Sequence, residues 1–165
     1  MGEMKKKKGF TVIEVSLVLA IAGLIFIMVF IALPALRRSQ RDTQRREDIL
    51  SFLEEVKQYQ KNNRGALPTN WTSFRDDYMG EFSDPYGGSY EIINLACSGR
   101  ALGTPCAEAS SDLGSIEDAS FPNGYRLFVV TQATCSGNEA VATSNPRKIA
   151  AVYRLEGAGS YCANT

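Results

Sequence analysis

The sequence predicts an α+β chain, in which a long N-terminal α-helix packs by its second half against a small antiparallel β-sheet head. The first half of this helix is predicted to span a membrane, because Val15 to Leu36 is a run of 22 residues without a charge and about 20 apolar residues suffice to cross a bilayer. An amphipathic helical pattern follows this run. The C-terminal part contains short segments rich in β-branched and aromatic residues, which are typical of strands.

The charge distribution is uneven along the chain. The 165 residues carry 18 basic and 18 acidic side chains and no histidine, so the formal net charge is zero. Lys5–Lys8 form a basic leader, residues 37–64 have eight basic and five acidic residues, and residues 65–165 have six basic and eleven acidic residues. The balance argues against a strongly basic nucleic-acid binder. Without histidine there is no Ser-His or Cys-His nucleophile and no imidazole metal ligand, and we expect neither an enzyme nor a cofactor.

The N-terminus contains a specific motif. Residues 5–15 read KKKKGFTVIEV, which resembles the class III signal of type IV prepilins: a short basic leader, Gly, Phe, and an apolar helix with one glutamate. The resemblance implies that residues 1–9 are a leader peptide, cleaved after Gly9 by a prepilin peptidase. Phe10 would become the first mature residue and would be N-methylated. Glu14 occupies the fifth mature position, where the family places its glutamate.

The physical chemistry of Glu14 supports a role in assembly. A carboxylate near the start of a membrane helix is costly unless it is paired or reaches the interface. Cleavage would create a cationic α-amine on Phe10, and Glu14 of one chain could pair with this amine of a neighbour. The resemblance implies this pairing, which would neutralise both charges and fix the axial register. The alternative is that Glu14 extends to the membrane interface.

An ordinary signal peptide is a rival interpretation of the N-terminus. Lys5–Lys8, the apolar run and Ala20-Ile21-Ala22 also resemble a secretory signal with an A-x-A cleavage site. Cleavage there would make Gly23 the mature N-terminus. The apolar run continues fourteen residues past Ala22, and Glu14 interrupts its first part, so we favour the prepilin signal.

One helix is predicted from Phe10 to about Asn62, divided into a transmembrane and filament-core part, 10–36, and an amphipathic stem, 37–64. Pro34 lacks an N–H and is predicted to kink the helix, and Gly23 is a second weak point. The resemblance implies local melting of the helix between such residues. A helix that stops at Pro34 is the alternative.

The stem begins with residues 37–48, which include no apolar side chain. Asp42 has i,i+4 partners in Arg38 and Arg46; contacts with other subunits, lipid headgroups or nucleic acid are alternatives. The remainder carries an apolar stripe at helical spacing, which we expect to face the core of the head. Its members are Ile49, Phe52, Leu53, Val56 and Tyr59.

The head, 65–165, starts where Gly65 is predicted to end the helix. Residues 65–96 are predicted to be a loop region whose aromatic side chains pack in the core, with an exposed adhesive surface as the alternative. Residues 99–123 are predicted to be a variable polar loop. Residues 84–90 are predicted to be a turn; they resemble the Asp-Pro-aromatic-Gly…Tyr segment of major pseudopilins, some of which bind calcium nearby, although no calcium-loop spacing occurs here. The predicted strands are Tyr90–Leu95, Tyr125–Thr134, Ala140–Thr143 and Lys148–Leu155, followed by a stapled C-terminal loop.

All four cysteines lie in the head. An even number of cysteines in a small exported domain indicates two disulfides. Of three possible connectivities we favour Cys97–Cys106 and Cys135–Cys162, because each pair is nearest in sequence. Free buried thiols and a zinc site are the alternatives, the second disfavoured by the absence of histidine and of a C-x-x-C motif.

The resemblance implies a structural subunit of a type IV pilus, which serves adhesion, motility or DNA uptake. Its implied partners are further copies of itself in a helical filament, prepilin peptidase, a membrane assembly platform with its ATPases, and the bilayer before assembly. Nucleic acid is expected only at the level of the filament. The leader would be cytoplasmic and the filament extracellular. The alternatives are a pseudopilin of a type II secretion-like system and a membrane-anchored adhesin that does not polymerise.

Overall fold

The computed structural model describes residues 9–106, 126–156 and 159–165. These residues form two compact units, which divide between Arg38 and Ser39. Most of the predicted polar loop 99–123, and Tyr125, lie outside the described residues. The elements in chain order are α1 (Val12–Asn62), α2 (Trp71–Tyr78), β1 (Glu91–Ala96), β2 (Arg126–Thr131), β3 (Ala133–Ser136), β4 (Glu139–Ala142), β5 (Ile149–Arg154) and β6 (Ser160–Asn164).

The N-terminal unit consists of the apolar part of α1. From Val12 to Leu36 every large apolar side chain is exposed, and within the described residues α1 is the one helix long and apolar enough to cross a membrane. This composition fits a membrane-anchored protein, because a helix that is apolar on all sides needs lipid or protein around it. The helix continues through Pro34, so the alternative that it stops there is wrong; one lost hydrogen bond does not end a helix whose other bonds remain.

The C-terminal unit is built around a four-stranded sheet of order β1-β2-β5-β6. The pairs β2–β5 and β5–β6 are antiparallel, but β1 and β2 are parallel. The predicted α+β architecture is confirmed, and two of the three strand pairs are antiparallel as predicted; the parallel β1–β2 pair makes the sheet mixed. The long segment between β1 and β2 permits this pair, because a parallel pair needs a crossover connection of a dozen or more residues.

Both faces of this sheet are covered. Along β2, Leu127 and Val129 pack against the stem of α1, whereas Phe128 and Val130 pack toward the β3–β4 hairpin. The predicted stem stripe is confirmed: Ile49, Phe52, Leu53 and Val56 are at most 2% exposed, and Tyr59 packs against the same cluster. Burial on both faces explains why the central strands have continuous apolar runs instead of an alternating pattern.

Helix α2 is absent from the sequence prediction, in which residues 65–96 are a loop region. Asn70 caps it: its side-chain oxygen accepts hydrogen bonds from the backbone N–H groups of Thr72 and Ser73 at 3.0 and 3.1 Å. Trp71 and Phe74 are buried, which confirms the expected packing of these aromatic side chains. The spacing of Trp71, Phe74 and Tyr78 is helical. Because the helix has only eight residues and lies between turn-forming segments, this spacing is too short to distinguish it from a loop.

Two further boundaries differ from the sequence prediction. The predicted strand 125–134 is interrupted at Gln132, whose φ of 56° is incompatible with an extended strand, and the chain then enters the separate β3–β4 hairpin. The predicted C-terminal loop is the strand β6, paired with β5. At the end of α1, Arg64 and Gly65 both have positive φ, and the Gly65 N–H donates to the carbonyl of Gln60 at 2.6 Å, so the predicted helix end is confirmed.

Candidate functional site

The predicted processing site lies just outside α1. Gly9 and Phe10 precede the first helical residue, Val12, and both are exposed. Phe10 is 90% exposed, and apart from the immediate chain neighbours no atom of the described residues lies within 4 Å of the position that a Cβ on Gly9 would occupy. Among the described residues, the peptide bond between them is therefore uncovered and outside the helical hydrogen-bond pattern, as a peptidase substrate must be.

Glu14 closes a capping box with Thr11 at the start of α1. The Thr11 backbone N–H and its hydroxyl donate to Glu14 Oε2 at 2.8 and 2.9 Å, and the Glu14 N–H approaches Thr11 Oγ1 at 3.3 Å. This reciprocal arrangement satisfies backbone donors that a helix N-terminus otherwise leaves free. Thr11 is absent from the sites predicted from the sequence, although Thr-x-x-Glu before an apolar run is a recognisable capping signal.

The two predicted weak points of the helix lie inside α1. Gly23 is helical, and apart from its chain neighbours and the helix's own backbone no atom of the described residues lies within 4 Å of the place that an added Cβ would take; Pro34 is also a helical residue. A lone glycine costs about 1 kcal/mol relative to alanine in a helix interior, and proline removes one backbone hydrogen bond. Melting of the helix between them stays a prediction.

The cysteines form two disulfides. Cys97 bonds to Cys106, and Cys135 bonds to Cys162, which are the two pairs that proximity in sequence favours. The first links the end of β1 to the segment that follows it, and the second links β3 to β6. All four sulfurs pack on the sheet face that the β3–β4 hairpin covers. The alternative of free thiols is therefore wrong.

A buried ion-pair network joins the stem to the head. Arg45 is 4% exposed and holds Asp84 bidentately, with Nε to Oδ2 at 2.6 Å and Nη2 to Oδ1 at 3.1 Å. The same guanidinium contacts Asp42 Oδ1 at 3.3 Å and Glu156 Oε1 at 2.6 Å. Arg41 adds a bidentate pair with Glu156. The network therefore connects α1, the turn after α2 and the end of β5.

This network shows that one face of the start of the stem is buried although all of its residues are polar. Asp42 and Arg45 continue the stripe of Ile49 and Phe52 toward the N-terminus at helical spacing, and their side chains are buried. Asp42 pairs with Arg45 at i,i+3 and accepts the backbone N–H of Glu156 at 2.9 Å. The helical spacing of Asp42 and Arg45 with the apolar stripe could have indicated their burial from the sequence. Because residues 37–48 include no apolar side chain, nothing else in this stretch marks the buried face.

The turn 84–90 is also fixed by this network. Asp84 is 2% exposed, and besides Arg45 it accepts the Tyr153 hydroxyl at 3.1 Å and the Tyr86 backbone N–H at 3.0 Å. Its carboxylate thus has charged and neutral donors, which a buried charge requires. Within the part of the chain that the structure describes, no group of three His, Cys, Asp or Glu side chains is placed to hold a metal ion.

Burial and neighbouring charges shift the pKa of several groups in and around the network. Burial raises the pKa of Tyr153, and the Asp84 charge raises it further. Burial likewise raises the pKa of Tyr90, whose hydroxyl donates to Asp48 at 2.9 Å. Burial disfavours the charged form of Arg45, but its hydrogen bond to Asp84 and the neighbouring charges outweigh this, so its pKa lies above the usual value. Arg45 therefore stays charged at neutral pH.

Glu156 gives this network a pH dependence. The hydrogen bond from Arg41, followed by that from Arg45, lowers the pKa of Glu156 from 4.5 to about 2. Because the folded pKa is depressed, the stabilisation is present above about pH 4.5 and is lost as the pH falls toward about 2. We expect Glu156→Gln to have a lower Tm than the unmodified full-length protein at pH 7. This difference in Tm should narrow as the pH falls to about 2, where Glu156 becomes protonated.

Thermal unfolding of the full-length protein in detergent, followed by circular dichroism across this pH range, measures the effect. Glu139→Gln is the matched control, because Glu139 is exposed and has no ion pair within the described residues. A difference between Glu156→Gln and the unmodified protein that stays constant from pH 7 to pH 2 would contradict the assigned ionisation.

Comparison with known protein families identifies the N-terminus. The prokaryotic N-terminal methylation motif matches residues 4–30. No match was found among the curated proteins or among the solved structures. The matched range contains Gly9, Phe10 and Glu14, so the resemblance of this N-terminus to the class III signal is confirmed.

Proposed function

We propose that this chain, which is type IV pilin-like by its N-terminal methylation motif, is a structural filament subunit. The subunit is inserted in the membrane as a precursor, cleaved after Gly9 and N-methylated at Phe10. It then polymerises through its N-terminal helices into a surface type IV pilus. In this role the chain needs neither catalytic activity nor a cofactor.

The observation that carries the proposal is the single carboxylate of Glu14 at the start of an apolar helix segment that is exposed on all sides. An ionisable residue in such a segment is expensive in lipid and typically functional. Its capping box with Thr11 supplies hydrogen bonds but no counter-charge. The α-amine that cleavage creates on Phe10 of a neighbouring subunit supplies that charge, so the pairing favours ordered insertion of each subunit into the filament core.

The proposed partners follow from this sequence of events. Prepilin peptidase cleaves the leader, the bilayer holds the precursor, and a membrane assembly platform with its ATPases adds subunits to a homopolymer. The basic leader lies in the cytoplasm and the mature filament outside the cell, where two disulfides stabilise the head by constraining its unfolded chain. Contact with nucleic acid belongs to the assembled filament.

A pseudopilin of a type II secretion-like system is the second candidate. The Asp84-Pro85-Tyr86-Gly87 turn favours it, because this turn is similar to a segment of major pseudopilins; in the structure Asp84 belongs to the buried network. Both candidates polymerise, whereas the third, a membrane-anchored adhesin, does not. Electron microscopy of sheared surface filaments distinguishes long pili from short pseudopilus-like filaments.

Mass spectrometry of the mature N-terminus tests the proposal most directly. We expect the first residue to be Phe10 carrying one additional methyl group on its α-amine. A Gly9→Val control, which places a branched side chain beside the cleaved bond, should retain the leader. A mature protein that begins at Gly23 would instead establish ordinary signal-peptide cleavage and overturn the filament proposal.

A further inference from the structure

An open groove lined by cations lies beside the end of the stem. It has a volume of about 500 Å³, and its lining residues are polar, basic or glycine: Lys57, Gln60, Lys61, Gly65, Asn145, Arg147, Lys148 and Thr165. We call it the basic groove. Within the described residues none of its four cationic side chains forms an ion pair. Four like charges are thus held together without internal compensation.

The groove is fixed by contacts between α1 and the turn before β5. Gln60 Nε2 donates to the Arg147 carbonyl at 2.7 Å, and the Arg147 N–H donates to Asn145 Oδ1 at 2.9 Å. The Arg147 guanidinium lies against Gly65, where an added Cβ would come within 3.0 Å of it. These contacts place Arg147 beside Lys57 and Lys61 before any partner binds, which reduces the entropic cost of binding.

The chemistry of the groove favours carboxylates over nucleic acid. Among the described residues no aromatic side chain lines it, so it offers no ring on which the bases of a single strand could stack. Its lysines and arginine present N–H donors on an exposed surface, which suits acidic side chains of a protein partner. Because residues 65–165 carry eleven acidic and six basic residues, a second copy of this chain is itself such a partner.

An acidic surface lies on a different side of α1 in the same head, at helix α2 and the residues that follow it. Tyr59 contacts Phe74 and Tyr78 of α2, at ring-centroid distances of 5.6 and 5.5 Å, whereas the next residue, Gln60, faces Arg147. Successive residues of a helix point about 100° apart. Helix α2 and the basic groove therefore flank α1 on different sides.

The free acids of that surface are Asp77 and Glu81. Both are exposed, and within the described part of the chain neither forms an ion pair. Asp76 is instead paired with Arg75 at 2.7 Å. We call Asp77 and Glu81 the acidic flank.

We propose that the basic groove of one subunit binds the acidic flank of a second copy. The inference rests on the proposed function, because it names the head surfaces that meet when copies polymerise. A contact between two different surfaces leaves one of each free at the ends, so its repetition builds an open helical polymer wherever the rotation between copies does not close a ring. Complementary charge also disfavours wrong registers, because like charges would then meet.

Zero-length carbodiimide cross-linking of cell envelopes and sheared filaments tests the contact. The reagent joins an ammonium group to a carboxylate that touches it. We expect a covalent dimer in which mass spectrometry finds Lys57 or Lys61 linked to Asp77 or Glu81. Filaments that contain no such link would overturn the proposal.

Charge exchange provides the second measurement. The double variants Lys57→Glu/Lys61→Glu and Asp77→Lys/Glu81→Lys should each lower filament yield roughly tenfold, because ion pairs become repulsions. Combining the two should restore most of the yield. Arg100→Glu, at an exposed arginine outside the groove, should have no effect. Normal yield in either double variant would overturn the proposal.

Failure of the proposed function gives a different result. If the unmodified protein lacks filaments and N-methyl-Phe10 but the Lys–acid link still forms in membranes, the groove contact stands and the filament proposal falls. If neither filaments nor the link appear, both fall. A different outcome would assign the groove to nucleic acid and overturn the contact between copies. In that outcome the full-length protein binds a duplex DNA fragment in a salt-sensitive manner, Lys57→Glu/Lys61→Glu abolishes the binding, and the Lys–acid link does not form.

Discussion

Replacing Glu14 by glutamine or alanine is expected to abolish surface filaments while leaving cleavage after Gly9 intact. The two variants separate two properties of this side chain. Glutamine can still close the capping box with Thr11 but has no charge to pair with the Phe10 amine of a neighbour, whereas alanine loses both. Because the charge carries the proposed docking, we expect both variants to reduce filament yield by more than about tenfold, the equivalent of about 1.4 kcal/mol.

Sheared filaments quantified by immunoblotting, with mass spectrometry of the membrane-bound subunit, measure this outcome. Ser16→Ala is the matched control. It removes another polar side chain of the same apolar segment and should assemble normally. Within the described residues, the Ser16 hydroxyl donates to the Val12 and Ile13 carbonyls alone. If Glu14→Gln assembles as the unmodified protein does, the carboxylate serves the helix cap alone and the proposed docking is wrong.

Replacing Arg45 by methionine is expected to destabilise the head by about 3–5 kcal/mol, because it leaves Asp84 buried with its charge uncompensated. Asp84 is 2% exposed, and Arg45 contacts both of its carboxylate oxygens. For a unit of this size the change corresponds to a fall in Tm of roughly 10–20 °C. Thermal unfolding of the full-length protein in detergent, followed by circular dichroism, measures it.

Two further variants show whether the loss comes from the unpaired charge. Arg46→Met changes the neighbouring exposed arginine, which lies over the Tyr161 ring at 5.4 Å, and should cost at most about 1 kcal/mol. Adding Asp84→Leu to Arg45→Met should recover much of the stability, because a buried charge without a partner is then gone. A loss in Arg45→Met no greater than that in Arg46→Met would contradict the structural role of the network.

Local patterns in the sequence determined the N-terminus and the stem. The charge-free run, the class III motif and the apolar stripe from Ile49 to Tyr59 depend on residues close together in the chain, so their spacing alone predicts helix, anchor and buried face. The disulfide pairs also followed from proximity in sequence. The capping role of Thr11 was readable in the same way, from its distance of three residues to Glu14.

Only the tertiary structure decided which polar residues are buried. Arg45, Asp84 and Glu156 lie 39 and 72 residues apart along the chain, and no local pattern indicates that their charges converge. The parallel pairing of β1 with β2 and the joining of β6 to the sheet are likewise long-range choices. The physical reason is that ion pairing and strand register depend on which segments the whole fold brings together, whereas helical periodicity and capping depend on neighbours within a few residues.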